Sequence, residues 1–263
     1  MKLKLHHINA FTDTLFKGNY AGVIFLDERL STELMQAIAT ENNLSETAFV
    51  QQSGINNYQI RWFSPLTEID FCGHATLASA YVLFQRNEAL MEIEFFAEAV
   101  GTLKVRREAD GFIAMTFPKY MPEPVDKIPE ALFAGLSIAP CDVLINRQAY
   151  FAIYPSEADI HAIKPQLEAL KTLAPYYVVV SAPARDYDFI SRYFWPATDG
   201  DEDPVTGSIH SGLAPFWAAR LNKTQLVAYQ ASQRGGTLHC HVEANAVIIA
   251  GQAVQYLEGE INI

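Results

Sequence analysis

Glu46 stands in Asn42-Asn43-Leu44-Ser45-Glu46-Thr47-Ala48-Phe49-Val50, between a polar helix end and an apolar strand. A carboxylate at such a boundary is expected to be partly buried, which raises its pKa and suits it to acid/base work near neutral pH. The alternative is a Glu that only caps or pairs with a neighbour. His74 follows Gly73 at the start of an apolar helix, where the positive end of the dipole is expected to hold the imidazole neutral and able to give or take a proton. A core histidine with satisfied partners is its alternative. Cys72 precedes the same helix start, an electropositive place that can lower a thiol pKa, or it is an inert buried thiol. Asp203 belongs to Asp201-Glu202-Asp203-Pro204-Val205-Thr206-Gly207-Ser208, and is either a reactive acid or a dipole partner for the helix that follows.

Gly73 and Gly207 each sit at a helix start, where backbone N–H groups lack internal partners and a glycine lets an anion approach closely. Either they bind a substrate carboxylate or they make tight turns. His239-Cys240-His241 puts two imidazoles on one face of a strand, but no further ligand is near in sequence, and the strand is read as solvent-facing without metal. No phosphate-binding loop, dinucleotide glycine fingerprint, nucleophile elbow or zinc-protease motif is found.

The elements that must position these groups occur twice. Arg61-Trp62-Phe63-Ser64-Pro65 recurs as Arg192-Tyr193-Phe194-Trp195-Pro196. Glu68-Ile69-Asp70-Phe71-Cys72-Gly73-His74-Ala75 aligns with Glu202-Asp203-Pro204-Val205-Thr206-Gly207-Ser208-Ile209, and Gly101-Thr102-Leu103 with Gly236-Thr237-Leu238. The blocks keep their order and nearly their spacing, which marks two copies of one unit. In the first copy, periodicity predicts strands at 58–63, 92–97, 101–107 and 112–117 around a helix at 74–86. The second repeats this with strands at 189–194, 225–230, 236–242 and 246–250 and a helix at 208–220. Further helices are expected at 31–42, opened by Ser31, and at 156–173. The two repeated helices are apolar on nearly every face, so each is expected to be buried inside a strongly curved sheet. The fold class is therefore α+β. The Pro-rich stretch 118–130 is read as the boundary between an N-terminal half, 1–117, and a C-terminal half, 118–263, with the last residues free to pack back on the first half. At the position of Glu46 the second copy has Tyr177, so the duplication is asymmetric where the chemistry is expected.

Of 263 residues, half are hydrophobic and 12% aromatic, a composition that folds. The net charge of -11 disfavours nucleic acid and anionic membrane as partners. No apolar run reaches the roughly 18 residues a membrane helix needs. Three cysteines without framework spacing or a leader before them indicate a reduced, cytoplasmic protein.

Four ordered motifs spread over nearly the whole chain resemble the PhzF family of phenazine-biosynthesis-like isomerases, related in fold to diaminopimelate epimerase. They are Phe11-Thr12-Asp13 with Phe16-Lys17-Gly18-Asn19, Ser45-Glu46-Thr47-Ala48-Phe49, Phe71-Cys72-Gly73-His74-Ala75-Thr76, and Glu202-Asp203-Pro204-Val205-Thr206-Gly207-Ser208. The resemblance implies two pseudo-symmetric epimerase-like domains, each a mostly antiparallel curved sheet or barrel around a central helix, with a small carboxylate substrate in the cleft between them. It implies no cofactor and, as is usual in the family, a homodimer. It carries the proton-shuttling role onto Glu46, with His74 and Asp203 assisting, and makes Asn19, Ser45, Gly73, Gly207 and Ser208 substrate-binding candidates. The chain has Gly18-Asn19-Tyr20 where the family commonly has Gly-Asn-Pro. Cys72 falls on one of the two catalytic cysteines of the epimerases, while Thr206 replaces the other. The expected function is cofactor-independent isomerisation by Glu46. The alternatives are a small-carboxylate-binding protein without chemistry and a partner-binding protein using its acidic surface.

Overall fold

The computed structural model describes residues 1–198 and 200–263. In chain order it contains β1 (Lys2–Ala10), β2 (Asn19–Leu26), α1 (Thr32–Asn42), β3 (Glu46–Gly54), β4 (Asn57–Phe63), β5 (Glu68–Ile69), α2 (Gly73–Arg86), β6 (Glu92–Ala97), β7 (Gly101–Arg107) and β8 (Ile113–Pro118). There follow β9 (Glu123–Pro124), α3 (Glu130–Gly135), β10 (Asp142–Ile145), β11 (Ala149–Ile153), α4 (Glu157–Ala162), α5 (Leu167–Lys171), β12 (Tyr177–Pro183) and β13 (Phe189–Phe194). The chain ends with α6 (His210–Leu221), β14 (Gln225–Gln230), β15 (Gly236–Val242), β16 (Ala246–Gly251) and β17 (Ala253–Asn262). The chain forms two compact units, Met1–Thr116 with Ala250–Ile263, and Phe117–Ile249.

In the first unit β1 pairs antiparallel with both β17 and β2. β2 runs parallel to β3, β3 antiparallel to β4, β4 parallel to β6, and β6, β7 and β8 form an antiparallel meander. The second unit repeats this order: β11 parallel to β12, β12 antiparallel to β13, β13 parallel to β14, β14 antiparallel to β15. The copies agree in register. Thr47 faces Phe63 as Val178 faces Phe194, and Glu46 and Tyr177 both open their strands. The duplicated α+β fold read from the sequence is the fold observed.

The helix α2 is buried from Gly73 through Ala80 and packs against β1, β2, β3, β7 and β17. Its all-round apolar surface leaves it no other stable place. In the second unit α6 is buried from His210 through Ala218 and packs on β14 and β15. Pro215 lies inside α6 and has no N–H for the Ser211 carbonyl. The Tyr120 N–H donates to that carbonyl instead, at 3.1 Å. Outside each sheet lies a second layer. Met35, Ile38 and Ala39 of α1 pack with Ile24, Phe49 and Phe63, and Leu132, Ile160 and Leu170 from α3, α4 and α5 pack with Val178, Val180 and Ile190.

The strands expected from periodicity all form, within one residue at either end. Ser31 caps α1 as expected, its side chain accepting from Leu34 N. Two helices differ from expectation. The span 156–173 is broken into α4 and α5, because Pro165 cannot continue a helix and biases Lys164 toward extended backbone. The helix expected from 208 begins at His210, since Gly207, Ser208 and Ile209 form tight turns whose carbonyls accept from His210, Ser211 and Gly212. No helix among the described residues is long and apolar enough to cross a membrane.

Gly18 delivers the chain into β2 with φ +67°, and a Cβ there would lie 2.2 Å from the Ala10 carbonyl oxygen. Gly18→Ala is expected to destabilise the protein by about 2–4 kcal/mol, from the left-handed backbone plus the clash. Urea unfolding at unchanged m-value checks this.

Candidate active site

Three segments of the first unit converge. β3 begins at Glu46, β2 begins at Asn19, and Cys72 and His74 flank the first residue of α2. The start of α2 is itself unusual: Cys72 is the N-cap, its Sγ accepting from Ala75 N at 3.4 Å, and the Thr76 hydroxyl donates back to the Cys72 carbonyl at 2.6 Å. This pins residues 72–76 and fixes the direction of the His74 ring.

His74 Nε2 lies 2.8 Å from Glu46 Oε2, with Glu46 3% and His74 6% exposed. The approach is a charge contact rather than an aligned hydrogen bond, and Oε2 receives no well-formed hydrogen bond among the described residues. Asn19, fully buried, places its side-chain amide nitrogen 3.1 Å from His74 Nδ1. Its amide can donate to a neutral ring or, turned over, accept from a charged one. Cys72 Sγ is 3.5 Å from Nδ1 and 3.8 Å from Nε2 of the same ring. Ser45 is half-buried and directly precedes Glu46 at the start of β3.

These contacts reverse two expectations about charge. Glu46 is fully rather than partly buried, and burial pushes its pKa up, but the attraction of its neighbours, the His74 charge above all, outweighs burial and leaves it below the ordinary carboxylate value. Burial likewise opposes a charge on His74, yet the Cys72 sulfur and the Glu46 carboxylate raise its pKa well above the ordinary imidazole value. Burial raises the Cys72 thiol, so no lowered thiol pKa is found there. With the thiol kept protonated, Glu46 is the negative partner that holds the His74 proton. The helix dipole, expected to keep His74 neutral, is overridden because a full charge at 2.8 Å exceeds the partial charge of a helix start.

In the second unit Asp203 is 7% exposed and accepts the Thr206 hydroxyl at Oδ2. Fully buried Gln230 clamps this turn: its Oε1 accepts Thr206 N at 2.9 Å, and its Nε2 donates to the Asp203 carbonyl at 2.8 Å and to the Thr206 hydroxyl at 3.2 Å. Ser208 Oγ accepts from Gln148 Nε2 at 3.0 Å, and the same nitrogen reaches the Tyr193 hydroxyl at 3.1 Å. Tyr177, standing where Glu46 stands in the first unit, accepts from the Thr198 hydroxyl at 3.1 Å. Behind them His210 Nδ1 donates to the Thr206 carbonyl at 2.8 Å, and burial pushes its pKa down to about 4, so it is neutral. Given the carbonyl partner, Nδ1 carries the proton.

The structure thus brings Asn19, Ser45, Glu46, Gly73 and His74 together, and separately Asp203, Gly207 and Ser208. Gln148, Tyr193 and Gln230 were not singled out in the sequence. The repeat offered one signal: Ser208 aligns with His74, and its partner Gln148 immediately precedes β11, the strand equivalent to the β2 that Asn19 opens. Tyr20, the departure from Gly-Asn-Pro, lies in β2 opposite Asn9, with its ring 5.9 Å from His7. His239 is exposed and His241 half-buried on β15, and neither belongs to a metal-capable cluster among the described residues. Glu46, Cys72 and His74 do bring three such atoms within 4.8 Å of one another, but Cys72 Sγ lies nearer to Nδ1 than to Nε2, beside the ring and behind the Nε2 lone pair that faces Glu46.

The duplicated fold of curved sheets around buried helices is an epimerase-like fold. The chain belongs to the PhzC-PhzF family of phenazine biosynthesis-like proteins, which it matches over residues 8–259. A Pseudomonas aeruginosa protein named as an uncharacterized isomerase is 44% identical, covering 100% of both chains. A crystal structure of a PhzF-family protein from Enterococcus faecalis is 40% identical with a TM-score of 0.95, covering 100% of each chain. A hydroxyproline epimerase from Agrobacterium vitis, 10% identical over 99% of this chain and 92% of that one, shares the fold alone at a TM-score of 0.66.

The pKa shifts set the sign of the pH dependence. The raised His74 pKa contributes stability that is full below 6.5 and lost as pH rises through the folded value. The lowered Glu46 pKa contributes stability that is full above 4.5 and lost as pH falls through the folded value. Stability from the pair is therefore greatest between pH 4.5 and 6.5. Urea denaturation across pH is expected to show both limbs in the native chain and to show each of them reduced in Glu46→Gln.

Proposed function

We propose that this chain is a cofactor-independent isomerase in which Glu46 removes a proton from an activated carbon of a small carboxylate substrate and returns it to another carbon of the same molecule. One observation carries the reading: a buried carboxylate whose Oε2 lacks an aligned donor stands 2.8 Å from an imidazole. An ionised carboxylate with open lone pairs is a base; beside a charged imidazole it is ionised at neutral pH.

The same arrangement limits its strength. A lowered pKa makes Glu46 a weak base, so the substrate must present an acidic C–H, next to a carboxylate or conjugated with one. The backbone N–H groups at the start of α2, with Gly73 allowing close approach, are suited to hold that carboxylate and to stabilise charge as it develops. The turn at Gly207 and Ser208, ahead of α6, offers a second set of backbone N–H groups of the same kind. As Glu46 takes the proton its charge is lost, His74 no longer has a full charge beside it, and the Nε2 proton becomes available to the site. The substrate electron pair shifts along the molecule and the proton closes on the second carbon. A two-thiol mechanism does not apply, because Thr206 replaces the second cysteine and its hydroxyl is committed to Asp203.

The experiment is a thermal-shift screen of small carboxylic and amino acids, followed by proton NMR of each hit in deuterated solvent. Native protein is expected to wash deuterium into the substrate. Glu46→Gln is expected to bind it with turnover lower by about 10²–10⁴ and no wash-in. Exchange retained in Glu46→Gln would remove Glu46 from the mechanism. A hit that binds both forms equally and never exchanges would make the chain a binding protein instead.

A further inference from the structure

Each polar atom of Thr206 is held by a buried side chain. Gln230 Oε1 accepts its N–H at 2.9 Å, Asp203 accepts its hydroxyl, and His210 Nδ1 donates to its carbonyl at 2.8 Å. Gln230 and His210 are fully buried and Asp203 nearly so. The bond from His210 runs back one turn to residue 206, a side chain standing in for a main-chain donor. The turn itself requires this. The His210 N–H goes to the Gly207 carbonyl at 3.1 Å, so it does not reach Thr206.

The direction of the Thr206 carbonyl decides where the next amide points. In a planar trans peptide the C=O and the following N–H point opposite ways. With the Thr206 oxygen turned back to the His210 ring of α6, the Gly207 N–H is turned away from that helix. Gly207 is buried, and neither its N–H nor that of Ser208 has an acceptor among the described residues.

His210 fills its place at a cost. Its ring stacks on Phe189, which stacks in turn on Trp217, and Nε2 is buried with no hydrogen-bond partner among the described residues. A buried acceptor without a donor lowers stability. A phenyl ring would join the same aromatic stack without that cost, so what the imidazole adds is the Nδ1 donor.

We propose that His210 is a positioning residue for the second unit's anion-holding turn: its Nδ1–H fixes the Thr206 carbonyl and thereby aims the Gly207 and Ser208 N–H groups at a substrate carboxylate. That the carboxylate belongs to an isomerised substrate rests on the isomerase reading; the aiming of the two amides does not. Nothing is transferred to or from His210, which acts only through Thr206.

The probe is sodium acetate, titrated into the full chain, deuterated and labelled with nitrogen-15 and carbon-13, with sodium chloride at matched ionic strength as the control. In the native protein the Gly207 and Ser208 amide resonances are expected to shift saturably with acetate and not with chloride. A scalar coupling across the hydrogen bond is expected between His210 Nδ1 and the Thr206 carbonyl carbon. His210→Asn keeps an N–H donor at the δ position and is expected to bind acetate as the native chain does. His210→Phe keeps the aromatic stack and is expected to bind acetate more weakly by about tenfold. With a substrate from the exchange screen, His210→Phe is expected to raise KM by about tenfold at unchanged kcat, the mark of lost binding and not of lost chemistry. The assignment is overturned by a native chain with no saturable shift at Gly207, by native-like acetate binding in His210→Phe, or by equal losses in His210→Asn and His210→Phe. If His210→Phe does not fold, absence of the coupling in the native chain overturns it alone. The titration needs no turnover, so its failure is distinct from a failure of the isomerase reading.

Discussion

Two charges taken out of water must hold each other, and Glu46 and His74 do so at 2.8 Å. A lone buried carboxylate would be costly enough to take up a proton; beside an imidazolium it stays ionised. Everything nearby serves that pairing. Asn19 stands behind the ring, and Cys72 caps the helix that carries His74. The residues that would do the chemistry are the ones that make the burial tolerable.

The pair needs a rigid frame, and each unit provides one with the same device. In the first, Arg61 grips Glu68 through two hydrogen bonds of 2.7 and 2.6 Å. In the second, Arg192 grips Glu202 at 2.8 Å through both oxygens and also donates to the Ile160 and Ile163 carbonyls. Each clamp ties a strand to the segment that leads into the buried helix, so Cys72-Gly73-His74 at the start of α2 and the Thr206-Gly207-Ser208 turn ahead of α6 are delivered in fixed geometry. Bidentate pairing suits this role because it fixes direction as well as distance.

From that common frame the units diverge. Glu46 and Tyr177 open equivalent strands, yet one carries a charge and the other a phenol; His74 and Ser208 occupy equivalent places, one paired with a carboxylate and the other with Gln148. Gln230 organises the Asp203–Thr206 turn in the second unit, a task that the Cys72 cap performs in the first.

The sequence by itself determined the duplicated fold, because hydrophobic period and turn residues are local signals that the two copies reinforce, and the strands fall within one residue of expectation. It also picked out Glu46, Cys72, His74 and Asp203 as ionisable groups at element boundaries. Only the tertiary structure decided their charge states. Glu46 and His74 are 28 positions apart in the chain, and their pKa shifts arise from a contact that no local pattern encodes. For the same reason the cluster of Glu46, Cys72 and His74 was not legible while His239 and His241, adjacent on one strand, drew notice. Such clusters depend on proximity in space, and sequence spacing reports that only within a single element.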